Sequence, residues 1–129
     1  MTNQPVPQTK GEVVRVVLES LAFAYRQTVE QIEALTGQTI KQIHMVGGGI
    51  QNELLCQLTA DVSQRPVVTG PIEASALGNV LAQLLALGEI PDRKAAQSII
   101  QASERTKQYQ AQEKSELAQS YRIFKENRK

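Results

Sequence analysis

The fold is decided at Met45-Val46-Gly47-Gly48-Gly49-Ile50-Gln51-Asn52-Glu53, a predicted strand end, three consecutive glycines and the start of a predicted helix. Glycine has no Cβ, so this turn can adopt positive φ angles and lie flat against a ligand that a side chain would push away. The following helix directs unpaired N–H groups and the positive end of its dipole toward the turn. The stretch therefore indicates a nucleotide-contacting element, although a plain strand-to-helix connection would have the same residues.

Size and composition place the chain among single-domain proteins with an aliphatic core. It has 129 residues, of which 41% are hydrophobic and only 4% aromatic, and a chain of this length buries about two thirds of its unfolded surface. Fourteen Lys and Arg oppose 13 Asp and Glu, giving a net charge of +1. Such a charge provides no field for nucleic acid or an anionic membrane. No secretory leader or apolar span is visible, so we expect a cytoplasmic protein with no nucleic-acid and no membrane partner.

The single cysteine and single histidine do not suggest a catalytic or metal site. Cys56 has no partner for a disulfide, and no group of Cys and His has metal-ligand spacing. Cys56 falls inside a predicted helix with no neighbouring base, which favours a small buried hydrophobe. For His44, among apolar strand residues, a hydrogen-bonded structural role is favoured over a catalytic one.

The N-terminal third predicts an extended lead-in over residues 1–8 followed by a long helix. Thr9 and Glu12 have the spacing of a capping box, so the helix should begin near Lys10, and Gly37 should end it. One apolar face runs along about seven turns and should cover a sheet. Its members are Val14, Val17, Leu18, Leu21, Tyr25, Val29, Ile32 and Leu35.

Two strand signals surround the glycine turn. Residues 40–46 form the stronger, and 67–69 predict an edge or terminal strand after a helix over residues 52–63. Strands alternating with helices favour a parallel sheet. Two strands are too few for an independent sheet, so we expect its remainder to lie elsewhere.

Three more helices are predicted toward the C-terminus. The first opens with small residues at Glu73-Ala74-Ser75-Ala76-Leu77-Gly78, which permit close packing or an interdomain contact, and ends near Gly88. A short helix follows over about 92–102. Residues 101–129 read as a polar tail whose terminal helix docks weakly through Leu117, Tyr121 and Phe124.

Three motifs, in order and at similar spacing, resemble the C-terminal part of the FGGY carbohydrate kinases, and within them the rhamnulokinase branch. They are Val16-Val17-Leu18-Glu19-Ser20-Leu21-Ala22-Phe23-Ala24-Tyr25-Arg26, Ile43-His44-Met45-Val46-Gly47-Gly48-Gly49-Ile50-Gln51-Asn52-Glu53-Leu54-Leu55, and Gly70-Pro71-Ile72-Glu73-Ala74-Ser75-Ala76-Leu77-Gly78-Asn79. The resemblance covers about residues 5–95.

The resemblance implies an α/β fold, part of an actin-like ATPase (ribonuclease H-like) domain, helix-rich with a small, incomplete parallel sheet. Residues 9–100 would be the nucleotide-binding part. The family's adenosine motif falls on Gly47, Gly48, Gly49 and Asn52, with Asn52 one turn into its helix and able to bond the base. ATP or ADP is the implied cofactor. The family's interdomain helix falls on Glu73, Ala74, Ser75 and Gly78.

The same resemblance implies transfer of the γ-phosphoryl group of Mg-ATP to the 1-hydroxyl of L-rhamnulose in a complete enzyme. The family's phosphate loops, sugar pocket and catalytic Asp precede the matched region, and neither Asp61 nor Asp92 matches that base. We therefore expect an isolated chain without activity, with Mg²⁺ bound only in the complete enzyme. The expected partner is an N-terminal kinase domain or a second copy. The alternative is a non-enzymatic module for adenine-nucleotide sensing or protein association.

Overall fold

A computed structural model describes residues 5–103 and 106–127. Its elements, in order, are α1 (Lys10–Thr36), β1 (Ile43–Met45), a 3₁₀ turn (Gly48–Gln51), α2 (Glu53–Ser63), β2 (Val67–Thr69), α3 (Ala74–Ala86), α4 (Arg93–Ser103), β3 (Gln108–Tyr109) and α5 (Ser115–Glu126). Of the expected lead-in, residues 1–4 lie outside the described part, and residues 5–8 adopt neither helix nor strand. The predicted division into a lead-in over residues 1–8, a nucleotide-binding part over 9–100 and a polar tail over 101–129 remains a prediction.

The two ends of α1 agree with the sequence. The N–H of Glu12 donates to Thr9 Oγ1 at 3.2 Å, and the N–H of Thr9 donates to Glu12 Oε2 at 3.1 Å, so the capping box is complete. Gly37 ends the helix in the left-handed conformation, with φ at 68°. Local capping chemistry thus determines where α1 begins and ends.

The sheet differs from expectation in three ways. Its order is β1-β2-β3, with β1 parallel to β2 and β3 antiparallel to β2. The prediction that residues 67–69 form an edge strand was therefore wrong, since β2 is central. β1 is also shorter than the predicted 40–46, and the sheet is mixed rather than wholly parallel.

The third strand pairs with Val67 and Val68 of β2, and Thr69 extends this pairing to Lys107. Lys107 N–H donates to Thr69 Oγ1 at 2.9 Å, and Thr69 N–H donates to the Lys107 carbonyl at 2.9 Å. Asp61, on α2, holds the segment that follows: its carboxylate accepts from Gln112 N–H at 2.9 Å and from Lys114 Nζ at 2.6 Å. A polar stretch is thus fixed by side-chain hydrogen bonds, which a strand-propensity pattern does not reveal.

The principal core joins α1, α2 and α5, and α5 docks firmly. Its buried members are Ala22, Phe23, Leu58, Val62, Leu117 and Tyr121. The prediction of weak docking was wrong, because Tyr121 is only 4% exposed and its ring centroid lies 5.7 Å from that of Phe23. The few aromatic residues are concentrated at this contact, so the core is not purely aliphatic.

Polar contacts fix α5 to α1 at the rim of that core. Tyr121 Oη donates to Glu30 Oε2 at 3.0 Å, and Lys125 Nζ reaches the same oxygen at 2.9 Å. The guanidinium of Arg26 lies 4.2 Å from the centre of the Tyr121 ring. Burial, with the hydrogen bond to Glu30 as a second cause, raises the pKa of Tyr121 to about 12. Tyr121 therefore stays a neutral donor across the physiological range.

Candidate nucleotide site

The glycine turn lies at the carboxyl end of β1, which is where ligands bind in open α/β sheets. Gly47 has φ at 82° and ψ at −173°, and residues 48–51 then form a single 3₁₀ turn before α2 begins. The N–H of Gly47 donates to the Pro71 carbonyl at 2.9 Å. This bond ties the turn to the segment that leads into α3, so two of the three sequence motifs meet here.

The backbone conformation requires glycine at only one of the three positions in the turn. Gly47 needs its positive φ, in a region that is essentially reserved for glycine. A Cβ added at Gly48 or at Gly49 would meet nothing within 4 Å. Internal packing therefore does not require glycine at either position, and both backbones face open space where a flat ligand can approach.

Asn52 caps α2, which agrees with the predicted helix over residues 52–63 and corrects the position one turn inside the helix that the resemblance implied. Its side-chain Oδ1 accepts from the N–H of Leu55 at 3.0 Å, and its φ and ψ are extended. The cap satisfies one of the free N–H groups at the helix start. With the oxygen engaged, the exposed Nδ2 amide is the group that can donate to a ligand.

Cys56, on α2, contacts the 3₁₀ turn from the buried side. Its side chain is 0% exposed, and Sγ donates weakly to the carbonyl of Ile50 at 3.7 Å. Burial raises the pKa of the Cys56 thiol. The prediction of a small buried hydrophobe agrees with this position, and the raised pKa disfavours the reactive thiolate.

A cavity of about 310 Å³ adjoins the turn on the β2 side. Lys107 and Glu53 form an ion pair at its wall, and Thr69 and Gly70 also line it. The hydrogen bond and charge of Lys107 lower the pKa of Glu53, and Glu53 raises the pKa of Lys107. Lys107 could not be predicted as part of this wall, because it lies 54 residues from Glu53 in a polar stretch with no motif.

The small residues predicted for an interdomain contact lie at the start of α3. Glu73 occupies the N-cap position without a side-chain cap, Ala74 is half-buried, and Ser75 and Gly78 are exposed. A Cβ at Gly78 would meet nothing within 4 Å. This surface is thus open for a neighbouring element, and its interdomain role remains a prediction.

His44 and Asp61 make contacts within the chain. His44 is exposed, with Nε2 3.0 Å from Gln42 Nε2. Asp61 is buried and engaged by hydrogen bonds. Over residues 5–103 and 106–127, no group of three or more His, Cys, Asp and Glu side chains could hold a metal ion. Within these same ranges, no helix has both the length and the apolar character needed to cross a membrane.

Comparison with known proteins identifies the family. Residues 1–87 match the C-terminal domain of the FGGY family of carbohydrate kinases. The rhamnulokinase of Bacteroides thetaiotaomicron is 42% identical over 124 residues, which are 96% of this chain and 26% of that protein. That of Enterococcus faecalis is 47% identical over 112 residues, 85% of this chain and 23% of that protein. The chain therefore spans about a quarter of the length of these curated relatives.

Solved structures show the fold. The xylulose kinase of Rhodospirillum rubrum matches 96% of this chain and 25% of its own, with a TM-score of 0.68 at 21% identity. The Plasmodium falciparum glycerol kinase, solved with ADP, matches 97% of this chain and 25% of its own, with a TM-score of 0.72 at 15% identity. The expected helix-rich α/β fold is confirmed, with a mixed sheet in place of a wholly parallel one. The chain belongs to the FGGY family of carbohydrate kinases and corresponds to the C-terminal part of a rhamnulokinase-like member.

Proposed function

We propose that this chain binds the adenosine of ATP or ADP and acts as the C-terminal part of a kinase that phosphorylates L-rhamnulose at its 1-hydroxyl. The observation that carries the proposal is the open glycine turn at the end of β1. A Cβ at Gly48 or Gly49 would meet nothing within 4 Å, so both glycines leave the backbone open to a ligand that approaches from outside. The sequence identity to rhamnulokinases over most of the chain supports the choice of sugar.

In this proposal both backbone and side-chain groups contact the nucleotide. Gly47 directs the chain sharply away from β1, and the backbone of Gly48 and Gly49 provides a flat surface for the nucleoside. The Nδ2 amide of Asn52 donates to an acceptor nitrogen of the base while Oδ1 holds the helix cap. The positive end of α2 favours the negative charge of the α-phosphate. When bound, ATP supplies the phosphoryl group.

The catalytic groups belong to the rest of the kinase in this proposal. Phosphoryl transfer depends on positioning and on stabilising charge with metal ions and cationic residues. The described residues hold no cluster suited to Mg²⁺, so we assign no metal step to them. The N-terminal kinase part supplies the Mg²⁺ site, the sugar pocket and the base. The isolated chain is therefore inactive. The assembled enzyme is cytoplasmic.

Titration of ADP against Gly48→Val tests the site. A valine at this position meets no protein atom near its Cβ, so folding should be retained while its methyl groups occupy the space of the nucleoside. We expect at least a tenfold loss of ADP affinity, with the melting temperature changed by no more than about 2 °C. Binding is measured in a kinase reassembled with the N-terminal remainder of a rhamnulokinase.

The matched control is Gly11→Val, in the first turn of α1 and far along the chain from the site, where a Cβ would only reach Thr9 Oγ1 at 4.0 Å. It should bind ADP as the parent does. Unchanged ADP affinity in folded Gly48→Val would show that the turn is only a connection, and the nucleotide assignment would fail.

A further inference from the structure

Glu53 places a carboxylate at the start of α2, directly after the cap residue Asn52. It lines the cavity of about 310 Å³ that adjoins the glycine turn, and its side chain is 64% exposed. A hydrogen bond from Lys107, with the charge of Lys107 as a second cause, lowers the pKa of Glu53 below its ordinary value of 4.5. Glu53 is therefore an anion at neutral pH, at the helix end to which the proposed function assigns the α-phosphate.

The charge of Glu53 opposes a phosphate at this position. The N-terminus of an α-helix carries the equivalent of about half a positive elementary charge. A carboxylate carries a full negative charge, so Glu53 on its own would reverse the sign of the potential at the start of α2. A phosphorylated nucleoside would then bind more weakly than a neutral one, unless a cation compensates Glu53.

Lys107 is that cation. Its Nζ forms an ion pair with Glu53 Oε1, and Glu53 in turn raises the pKa of Lys107, so both groups stay charged. The other described residues that line the cavity are uncharged: Ile50, Gln51, Thr69, Gly70 and Ile72. The pair therefore brings the net charge of the cavity wall to zero.

The backbone of Lys107 fixes its place independently of the ammonium group. Its N–H donates to Thr69 Oγ1 and its carbonyl accepts from Thr69 N–H, each at 2.9 Å. The ion pair itself is exposed, at 63% for Lys107 and 64% for Glu53, and exposed pairs contribute little to stability. Removing the ammonium group should therefore change the charge of the cavity while β3 stays paired.

We propose that Lys107 determines the preference of this site for a phosphorylated over an unphosphorylated nucleoside, by neutralising Glu53 at the start of α2. This inference rests on the proposed function for the nucleotide, and it adds a specificity residue outside the glycine motif. Lys107 acts through Glu53 and is assigned no contact with the ligand. The effect should therefore depend on the phosphate charge of the ligand and on the presence of Glu53.

Comparison of ADP with adenosine tests the proposal, because the two ligands differ only in the diphosphate. Lys107→Met keeps most of the side chain and removes its charge. Both ligands are titrated in the kinase reassembled with the N-terminal remainder of a rhamnulokinase, in EDTA so that no metal ion masks the phosphates. At about 20 mM salt we expect ADP affinity to fall about fivefold and adenosine affinity to change by less than about twofold. At about 0.5 M salt the loss of ADP affinity should shrink toward that of adenosine.

Glu53→Gln shows whether Lys107 acts through Glu53. Alone, it leaves Lys107 without its partner charge, so ADP should bind about fivefold more tightly than to the parent. In the double variant both charges are absent, and ADP affinity should return to within about twofold of the parent value. Lys107→Arg keeps the positive charge and should bind ADP as the parent does.

The matched control is Arg15→Met, which also removes one exposed ion pair. Arg15 is 59% exposed and pairs with Glu19 on α1. This variant should bind both ligands as the parent does. If Lys107→Met proves unfolded, Glu53→Gln alone carries the test, because the side chain of Glu53 takes no part in the cap of α2 or in the pairing of β3.

Three outcomes would overturn the proposal. Equal losses for ADP and adenosine would assign Lys107 a structural role only. A double variant as weak as Lys107→Met would mean that Lys107 acts on the phosphates without Glu53. Unchanged ADP affinity in folded Lys107→Met, or in Glu53→Gln, would mean that the pair lies too far from the phosphates to affect them.

Failure of the nucleotide assignment can be told apart from failure of this inference. If the assignment fails, folded Gly48→Val binds ADP as the parent does. If Gly48→Val loses ADP affinity while Lys107→Met keeps it, the nucleotide site stands and only the role of Lys107 fails.

Discussion

Asn52 combines two roles that single substitutions can separate. Asn52→Ala removes both the cap and the amide, so we expect a loss of about 0.5–2 kcal/mol in unfolding free energy together with weaker ADP binding. Asn52→Ser keeps a capping oxygen but lacks the amide donor. Its stability should stay close to that of the parent, while its ADP affinity should fall several-fold. Urea unfolding and ADP titration of both variants provide the two readings.

The serine variant also serves as the control for that experiment. If Asn52→Ser binds ADP as the parent does, the amide makes no contact with the base and Asn52 is a helix cap only. If Asn52→Ala is as stable as the parent, the capping bond to Leu55 contributes nothing measurable to α2.

At the residue scale, the features that could be predicted from the sequence are those that depend on neighbouring residues only. The capping box of α1 and the glycine turn follow from spacing alone. The predicted helix over residues 52–63 begins where α2 does, but the resemblance placed Asn52 one turn inside it. The turn before Asn52 is a 3₁₀ turn, which the sequence does not distinguish from the first turn of an α-helix. The Lys107 contact with Glu53 was invisible, since charges brought together by tertiary folding leave no local pattern.

Among the elements, α5 depends on an acid-sensitive contact with α1. Burial by itself raises the pKa of Glu30, but hydrogen bonds from Lys125, Arg26 and Tyr121 outweigh it and lower the pKa below its ordinary value of 4.5. A lowered folded-state pKa stabilises the protein above the unfolded pKa, and the contribution is lost as the pH falls through the folded value. We therefore expect Glu30→Gln to be less stable than the parent at pH 7, with the difference shrinking below about pH 4.5.

Thermal melting from pH 7 down to pH 3 measures this convergence. Glu116→Gln, an exposed position on the same α5 helix, is the control and should follow the parent curve more closely at every pH. A constant difference between Glu30→Gln and the parent over the whole range would mean that the charge of Glu30 does not contribute to the docking of α5.

The helices were predicted better than the strands, for a physical reason. α1 carries its own start and stop signals and a long apolar period, so its bounds follow from local chemistry. β3 consists of Gln108 and Tyr109, which pair with Val68 and Val67 of β2, and Thr69 adds a hydrogen bond from Lys107 on its flank. Neither residue pattern nor propensity encodes such a pairing, which depends on the chain returning to β2.

For the whole molecule, a row of exposed apolar side chains on α1 predicts self-association of the isolated chain. The row consists of Val14, Val17, Leu21, Tyr25 and Ile32. Sedimentation velocity should show a sedimentation coefficient that rises with protein concentration, because exposed apolar rows of this kind associate. Leu21→Lys, within the row, should shift the chain toward the monomer. Leu87→Lys is the control, since Leu87 is 75% exposed and does not belong to α1. A compact parent monomer at all concentrations would contradict this expectation.

The long-range docking of α5 also bears on how the chain folds during its synthesis. Glu30 and Tyr121 are 91 residues apart, yet they meet at the edge of the principal core. A core closed by contacts of such high sequence separation forms late, because the loop must close before the contact stabilises it. Phe23 and its neighbours on α1 leave the ribosome long before α5 does, so the nascent chain must pass through a stage with an open core. During that interval, a chaperone that recognises apolar segments would bind the exposed core residues of α1.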